Sequence, residues 1–259
     1  MKKTFQIATP ISHLFRKKDI REKIIRYSDI LEERDHSIDI GKNDDFIYHC
    51  ELNIVAKWSD KEIGILQKIR YKDCLKLISF HILSRYQKNN IQNNAFIGIG
   101  RPYSIKEMEE NCRENCKIVR KIFGKEMTIL VENNNYLSTD AYEKIIEGDF
   151  ISKIVGENNI FLLLDIAHAM ITAINKKIDI HEYFNSLPLK KCKQIHLSKY
   201  FVKKGNALDA HETLEEDDWK FFKEILELTR NVEYVSIEYY KNADKLVEQL
   251  IKLKKIQNE

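Results

Sequence analysis

Histidine and carboxylate side chains recur at the ends of short apolar segments in this sequence. In the segment that ends at Asp165, three leucines precede the aspartate and His168 follows three residues later. A carboxylate at the end of an apolar strand is costly to bury unless it is paired or binds a cation. Imidazole and carboxylate together suit iron, zinc or manganese. Five of the eight histidines and four carboxylates lie at the ends of such segments or in the loops that follow them: His49, His81, Glu132, Asp165, His168, His196, Asp209, His211 and Glu238.

Nine such side chains exceed the needs of one ion, because a tetrahedral or octahedral centre takes about four to six ligands. The surplus predicts two or three ions that share bridging carboxylates, with open positions for water, substrate or dioxygen. A single histidine in an apolar strand is more often a hydrogen-bonded core residue. The order of all nine side chains is what favours a metal centre. His13, His36 and His181 fall outside the pattern and are interpreted as structural or surface residues.

Short apolar runs alternate with longer amphipathic segments, which is typical of strands alternating with helices. The predicted strands are Phe5–Ala8, Ser37–Gly41, Phe46–Leu52, Leu77–Leu83, Thr128–Asn133, Ile160–Ala167, Gln194–Ser198 and Val235–Tyr240. The predicted helices are Asp19–Glu33, Asp60–Lys76, Ile105–Phe123, Ala141–Val155, Glu216–Thr229 and Ala243–Lys255.

Eight such strands in about 250 residues predict an α/β fold with a single (β/α)8 TIM barrel as one domain over residues 1–259. Two crossovers are irregular: Ser37–Gly41 and Phe46–Leu52 are too close for a helix between them, and Ile178–Pro188 predicts only a short helix. An open doubly wound sheet is the alternative, but the sequence lacks the glycine-rich phosphate loop which that fold favours. In a barrel, the carboxyl ends of the strands converge on one face, so the nine side chains are expected to meet there.

Composition narrows the class of protein. The 43 Lys and Arg residues against 40 Asp and Glu residues give a formal charge of +3, which argues against general nucleic-acid binding. The sequence has no run of 18 uncharged apolar residues, so a membrane span is not expected. The first eight residues carry two lysines but no apolar core typical of a signal peptide, and the five cysteines are odd in number and widely spaced. We expect a cytoplasmic protein with reduced thiols.

From about Asp45 to the end, the order of the motifs resembles the multinuclear non-heme iron-dependent oxidative enzymes. These include the iron oxygenase of methanobactin biosynthesis and the enzyme that excises a carbon from a peptide cysteine. The motifs that carry the resemblance are His49, Ser-Phe-His81, Glu132-Asn133, Leu-Leu-Asp165-x-x-His168, Ile-His196-Leu, Asp209-x-His211 and Ile-Glu238. The similarity is densest between Phe161 and His196, where Asn175, Tyr183 and Leu187-Pro188 also match.

The resemblance implies a xylose-isomerase-like barrel that holds two or three iron ions. It implies an oxidoreductase that uses dioxygen to modify a residue, cysteine above all, of a ribosomally made precursor peptide (a RiPP), usually with a peptide-recognition partner protein. By this similarity, the catalytic set around the central ion is Glu132, Asp165, His196 and Glu238. The second ion is assigned to His49, His81 and the bridging Glu132, the third to His168, Asp209 and His211, and Asn133 is expected to approach the cofactor.

Two other functions fit the same metal-binding barrel. Endonuclease IV-type phosphodiesterases use a similar order of ligands to bind three zinc ions and cleave abasic DNA, and sugar isomerases share the barrel. The isomerase reading requires a lysine or histidine for ring opening that the sequence does not identify. The charge of +3 gives no clear DNA-binding stripe, but basic residues predicted near the same face keep the nuclease alternative open: Lys190, Lys191, Lys193, Lys199, Lys203 and Lys204.

Overall fold

The computed structural model describes residues 5–40, 44–69 and 72–259 of the chain. Eight of its strands run parallel and close into a barrel in the order β1-β12-β9-β8-β7-β4-β3-β2, and two antiparallel hairpins, β5-β6 and β10-β11, lie outside it. In chain order the strands are β1 (Gln6–Pro10), β2 (Ile30–Arg34), β3 (Phe46–Asn53), β4 (Leu75–His81), β5 (Lys88–Gln92), β6 (Ala95–Ile99), β7 (Thr128–Glu132), β8 (Phe161–Asp165), β9 (Cys192–Leu197), β10 (Lys199–Lys203), β11 (Asn206–Glu212) and β12 (Tyr234–Ile237).

Helices follow most of the barrel strands and cover the outside of the sheet. They are α1 (Lys18–Ile25), α2 (Asp60–Gln67), α3 (Ile105–Phe123), α4 (Gly148–Glu157), α5 (Ile166–Lys176), α6 (Ile180–Ser186), α7 (Glu216–Leu228) and α8 (Ala243–Asn258). The predicted (β/α)8 barrel is therefore confirmed. No helix in the described ranges is both long enough and apolar enough to span a bilayer.

The barrel closes where β1 pairs with β2 on one side and with β12 on the other. Ala8 is in register with Ile30, and Gln6 with Tyr234. Strands of this kind are apolar on both faces because helices cover one face and the barrel interior the other. Leu162 on β8, for example, is fully buried between the helices and the neighbouring strands.

An apolar layer fills the lower part of the barrel. Side chains of a strand alternate between its two faces, so residues two apart share a face. Below the level of the polar residues, the inward faces of seven strands thus present apolar groups that pack on one another. This layer consists of Ala8, Ile30, Ile47, Leu77, Leu130, Leu163 and Tyr234.

The second strand was predicted in the wrong place. Ser37–Gly41 was expected to be this strand, but residues 37–40 are irregular and Gly41 lies outside the described residues. The strand is Ile30–Arg34, and its first four residues had been placed at the end of the predicted helix Asp19–Glu33. Pairing with β1 and β3 gives this segment its strand conformation. Its two adjacent glutamates, Glu32 and Glu33, made the segment resemble the exposed surface of a helix.

Several helix boundaries also differ from the prediction. Ile105–Phe123 is confirmed as α3, with Ser104 as its N-cap. The helix predicted over Asp60–Lys76 ends at Gln67, and the one predicted over Ala141–Val155 begins at Gly148. The short helix expected within Ile178–Pro188 is α6, whereas α5 was not predicted.

Candidate metal centre

The predicted ligands continue the inward face of the barrel at the carboxyl ends of the strands. Leu130 and Leu163 belong to the apolar layer. Two residues further along the same strands, the inward side chains are Glu132 and Asp165, both buried. The strand alternation thus places a ring of ionisable side chains directly above the apolar layer. Water is scarce there, so each charge needs a partner.

Glu132 lies between three imidazole rings. Its Oε2 atom is 2.6 Å from His81 Nδ1 and 3.6 Å from His49 Nε2, and its Oε1 atom is 3.2 Å from His196 Nδ1. Burial alone would raise the pKa of Glu132, but the rings of His81 and His49 hold it well below its usual range. A carboxylate that meets imidazole nitrogens at both of its oxygens has the arrangement of a ligand that bridges two ions.

His49 presents a lone pair to Glu132. Ser79 Oγ donates to the Tyr48 carbonyl (3.4 Å) and accepts from His49 Nδ1 (2.8 Å), so the proton of the ring is on Nδ1 and the lone pair on Nε2. Burial lowers the pKa of His49 to about 3, so the ring is neutral. A lone pair that faces a carboxylate oxygen is repulsive unless a cation lies between them.

His196 is fully buried among carboxylates. Its Nε2 atom is 3.0 Å from Glu32 Oε2, and its Nδ1 atom is 3.2 Å from Glu132 Oε1 and 3.3 Å from Glu238 Oε1. Burial opposes a charge on this ring, but the carboxylates of Glu32 and Glu238 hold its pKa well above the usual range. Nδ1 makes no hydrogen bond within the described residues. It faces two carboxylate oxygens at separations typical of donors that share one ion.

Glu32, on β2, is a fully buried carboxylate that the sequence analysis missed. Its Oε2 atom accepts hydrogen bonds from Gln194 (2.7 Å) and Ser236 (2.8 Å) in addition to its contact with His196. Its Oε1 atom accepts from Arg34 Nε (2.9 Å) and Nη2 (2.6 Å). Both oxygens are therefore engaged by the protein. The alternation of Ile30, Glu32 and Arg34 was a signal that could have identified this strand.

Arg34 links Glu32 to Glu238. Its Nη2 atom also contacts Glu238 Oε1, to which the Tyr240 hydroxyl donates at 3.3 Å. Burial would raise the pKa of Glu238, but Arg34 and His196 hold it well below its usual range. Within the described residues, Arg34 is the one Lys or Arg in contact with the carboxylates of the site.

Asn133 positions Asp165 and His168. Its side-chain amide donates to the Asp165 carbonyl and accepts from the Asp165 backbone N–H, both at 2.9 Å. Its own carbonyl accepts from His168 Nδ1 at 3.0 Å, which leaves His168 Nε2 free to face Asp209 Oδ2, 3.7 Å away. Asn133, predicted to approach the cofactor, thus has its amide engaged by the backbone of Asp165.

Asp165 ends β8 and caps α5. Its Oδ1 atom accepts from the His168 backbone N–H at 2.7 Å, whereas Oδ2 is buried without a hydrogen bond in the described part of the chain. Burial, together with the nearby carboxylates of Glu132 and Glu238, raises the pKa of Asp165 to about 7. Part of this shift in the pKa of Asp165 thus reflects the negative charge of the neighbouring carboxylates.

The hairpin β10-β11 supplies the last two predicted ligands. His211 Nε2 lies 3.5 Å from Asp209 Oδ2 and 3.1 Å from Glu238 Oε2. His211 has a φ of +45°, which is unusual for a residue with a side chain and costs on the order of 1–3 kcal/mol. The surrounding contacts hold this backbone conformation, which aims the ring at Glu238.

All nine predicted residues therefore lie in one continuous network, and the donor chemistry fits metal ions. Four buried atoms of the network that could bind a metal ion make no hydrogen bond within the described ranges: Glu132 Oε2, Asp165 Oδ2, His196 Nδ1 and Asp209 Oδ1. Such atoms are normally satisfied in folded proteins. Three sets of side chains have donor atoms close enough to share an ion: His49, His81 and Glu132; Glu132, Asp165 and His168; and Glu32, His196 and Glu238.

The remaining histidines do not join this network. His13 and His36 are exposed, and His181 lies on α6, where its ring contacts Phe221. The lysines at 190, 191 and 193 precede or begin β9, so they lie at the opposite end of this strand from His196. The basic patch predicted beside the site is therefore divided between the two ends of the barrel.

Comparison with solved structures identifies the class of barrel. An L-ribulose 3-epimerase matches with a TM-score of 0.62 at 14% identity, covering 98% of this chain and 94% of that one. A xylose isomerase domain protein of Alicyclobacillus acidocaldarius matches with a TM-score of 0.60 at 12% identity, covering 98% and 100%. A family 2 AP endonuclease of Brucella melitensis matches with a TM-score of 0.57 at 14% identity, covering 93% and 96%. The chain thus has the fold of the xylose-isomerase-like TIM barrels.

Curated relatives match over a shorter region. A UPF0276 protein of Chromobacterium violaceum is 28% identical over 100 residues, which is 38% of this chain and 36% of that protein. A UPF0276 protein of Caulobacter vibrioides is 27% identical over 111 residues, or 43% and 39%. The chain spans little more than a third of the length of these relatives.

Residues 66–258 match the model of the RiPP precursor modification enzyme family MbnB/TglH/ChrH. The chain belongs to this family. The resemblance inferred from the motifs is confirmed.

Proposed function

We propose that this protein is a multinuclear non-heme iron-dependent oxidative enzyme that uses dioxygen to modify a cysteine of a ribosomally made precursor peptide. The observation that carries the proposal is the position of Glu132 among three imidazole rings, two of them on one oxygen and one on the other. Membership of the precursor-modifying family supports a peptide substrate. Mixed imidazole and carboxylate donors suit iron among the common ions.

We assign the ligand sets as the family resemblance implies. His49, His81 and Glu132 form the first set, and their donor atoms lie close enough to share an ion. The central set is Glu132, Asp165, His196 and Glu238, in which His196 Nδ1 faces both Glu132 and Glu238. The third set is His168, Asp209 and His211, in which Asp209 Oδ2 faces Nε2 of both histidines.

Bound iron would supply the redox chemistry, which is coordination of a substrate thiolate and activation of dioxygen. The protein's own residues prepare the donors for this role. Ser79 holds His49 with its lone pair on Nε2, and Asn133 holds His168 with Nε2 free. Fixing the second nitrogen of a ligating ring in this way sets both its tautomer and its orientation.

Substrate access is most open on the side of the hairpin β10-β11. The side chains of Asp209 and His211 are 25% and 31% exposed and that of His81 is 20% exposed, whereas those of Glu132, His196 and Glu238 are at most 4% exposed. A peptide cysteine would therefore approach past His81, Asp209 and His211. A peptide-recognition partner protein, as the family resemblance implies, would present the substrate on this face.

Purification without oxygen, followed by metal analysis and an oxygen-uptake assay, tests the proposal. The substrate is the cysteine-bearing peptide encoded beside the gene, with its Cys→Ser form as control. We expect two or three iron ions per chain and oxygen uptake that depends on the cysteine. His81→Ala should lose iron and activity, while His13→Ala should retain both. Stoichiometric zinc with cleavage of an abasic DNA duplex would overturn the proposal in favour of a phosphodiesterase.

A further inference from the structure

A cleft beside the metal centre has no role in the function proposed above. It has a volume of about 680 Å³, within the range of ligand-binding pockets, and lies between α5, α6, α7 and the segment that joins β9 to β10. None of the nine predicted metal ligands lines it. Ile166 and Leu197 do, and they directly follow Asp165 and His196 in the chain. The cleft is therefore a neighbour of the metal centre, on the other side of the barrel wall.

The inner wall of the cleft is apolar with an unsatisfied hydroxyl group. Ile166, Met170 and Phe221 contribute apolar surface. Ser198 also lines the cleft; the residue is only 5% exposed, and its Oγ atom has no hydrogen-bond partner among the described residues. Buried hydroxyls normally have a partner. A ligand with an apolar side chain and a polar backbone would satisfy both features.

The rim of the cleft is acidic. Four carboxylates line it, together with one lysine, Lys199. The Nζ atom of Lys199 lies 2.7 Å from Glu215 Oε2 and 3.4 Å from Asp218 Oδ2. Asp179 and Asp217 are exposed on the rim, and Asp217 pairs with Lys220. An excess of negative charge around an apolar pocket favours a ligand with a positive charge next to its apolar group.

We propose that this cleft binds an apolar side chain of the precursor peptide, with an adjacent lysine or arginine on the acidic rim. The inference rests on the proposed function, which places the modified residue of the same peptide at the metal centre. An extended peptide advances about 3.3 Å per residue. Because the cleft residues follow Asp165 and His196 directly, the anchoring side chain lies a few residues from the modified one.

A set of synthetic peptides tests the proposal without turnover. Each is a fluorescein-labelled Gly/Ser peptide with one cysteine, and a Phe-Lys pair is moved from one to six residues away on either side of it. Binding to the metal-loaded full chain, kept without oxygen, is measured by fluorescence anisotropy at low salt. We expect one register to bind about tenfold more tightly than the peptide without the pair or with Ser-Glu in its place. Equal affinity at all registers would overturn the proposal.

Two variants locate the binding. Met170→Trp fills the cleft and should remove the advantage of the Phe-Lys pair. The double variant Asp179→Asn and Asp217→Asn removes two rim charges, keeps a hydrogen-bonding cap on α6, and should weaken binding about threefold. Glu224→Gln with Glu227→Gln removes two exposed charges from α7 outside the cleft, and should leave binding unchanged.

The outcomes separate the two proposals. Register-dependent binding without oxygen-dependent modification leaves the cleft assignment intact and contradicts the proposed oxidation. Cysteine oxidation that is equally fast with and without the Phe-Lys pair contradicts the cleft assignment and leaves the oxidation intact. An undiminished Phe-Lys preference in both Met170→Trp and the Asp179/Asp217 double variant would also overturn the cleft assignment.

Discussion

Nε2 of His196 lies 3.0 Å from Oε2 of Glu32, with both side chains fully buried. The carboxylate fixes the tautomer of the ring, so that Nδ1 is the nitrogen that faces Glu132 and Glu238. Glu32 accepts hydrogen bonds at both of its oxygens, from Arg34, Gln194 and Ser236. It is therefore a positioning residue for His196.

Replacement of this carboxylate tests the relationship. Glu32→Gln keeps the size of the side chain but removes its charge, so His196 loses the partner that orients it. We expect a 10- to 100-fold weaker apparent affinity for Fe²⁺ or Co²⁺, measured by competition with a chelator. Glu51→Gln, at an exposed position, serves as the control. Unchanged affinity in Glu32→Gln would show that Glu32 does not act through the metal ligand.

The sequence was informative where burial alone determines the pattern. Runs such as Leu162–Leu164 are apolar because they are buried on both faces, and period-two alternation then places Asp165 inside the barrel. Most of the nine metal-capable residues could be found because they lie in or just after such a run, whereas Asp209 and His211 lie on the hairpin β10-β11. Whether they bind metal stays a prediction.

The same reasoning failed where tertiary contacts determine the structure. Ile30–Arg34 contains three charged residues in five and becomes a strand only through its pairing with β1 and β3. Because residues 30–33 were taken for the end of a helix, Glu32 and Arg34 were not identified as part of the site. The hairpins β5-β6 and β10-β11 were missed for a related reason: outside the barrel nearly all of their residues are half-buried or exposed, so burial imposes no alternating pattern on them.

Substitutions of Asp165 should affect the metal content and the folding stability differently. Asp165→Asn retains an acceptor for the His168 backbone N–H but removes a buried charge whose Oδ2 atom has no hydrogen bond in the described residues. We expect the metal content to fall while the unfolding free energy of the metal-free protein stays equal or rises by about 1 kcal/mol. Asp165→Ala also loses the helix cap and should be less stable than Asp165→Asn by about 1 kcal/mol. Equal destabilisation of both variants in chemical denaturation would contradict this.

The hydrogen bonds of Asp29, outside the metal centre, predict that the folding stability depends on pH. It accepts from the Ile7 backbone N–H (2.9 Å), Lys254 (2.6 Å) and Gln257 (2.7 Å), and so ties β1 to α8. Burial raises the pKa of Asp29, but these three donors more than offset that and lower it below its usual value. The stabilisation is therefore present above the unfolded-state pKa of about 4 and is lost as the pH falls through the lower folded-state pKa.

Asp29→Asn should accordingly destabilise the metal-free protein by about 1 kcal/mol at pH 6 to 7. The difference from the native chain should shrink below pH 4, as measured by urea unfolding across the pH range. Asp149→Asn, which removes an exposed charge from α4, should cost little at any pH. A difference for Asp29→Asn that grows on acidification would contradict the sign of the shift.

The central claim is that Glu132 bridges ions within one cluster. Anomalous diffraction at the iron absorption edge, from crystals grown without oxygen, tests this most directly. We predict two or three peaks within bonding distance of the nine side chains, with two of them on opposite oxygens of Glu132. A single peak that does not touch Glu132, or no iron peak in crystals of iron-loaded protein, would contradict the claim.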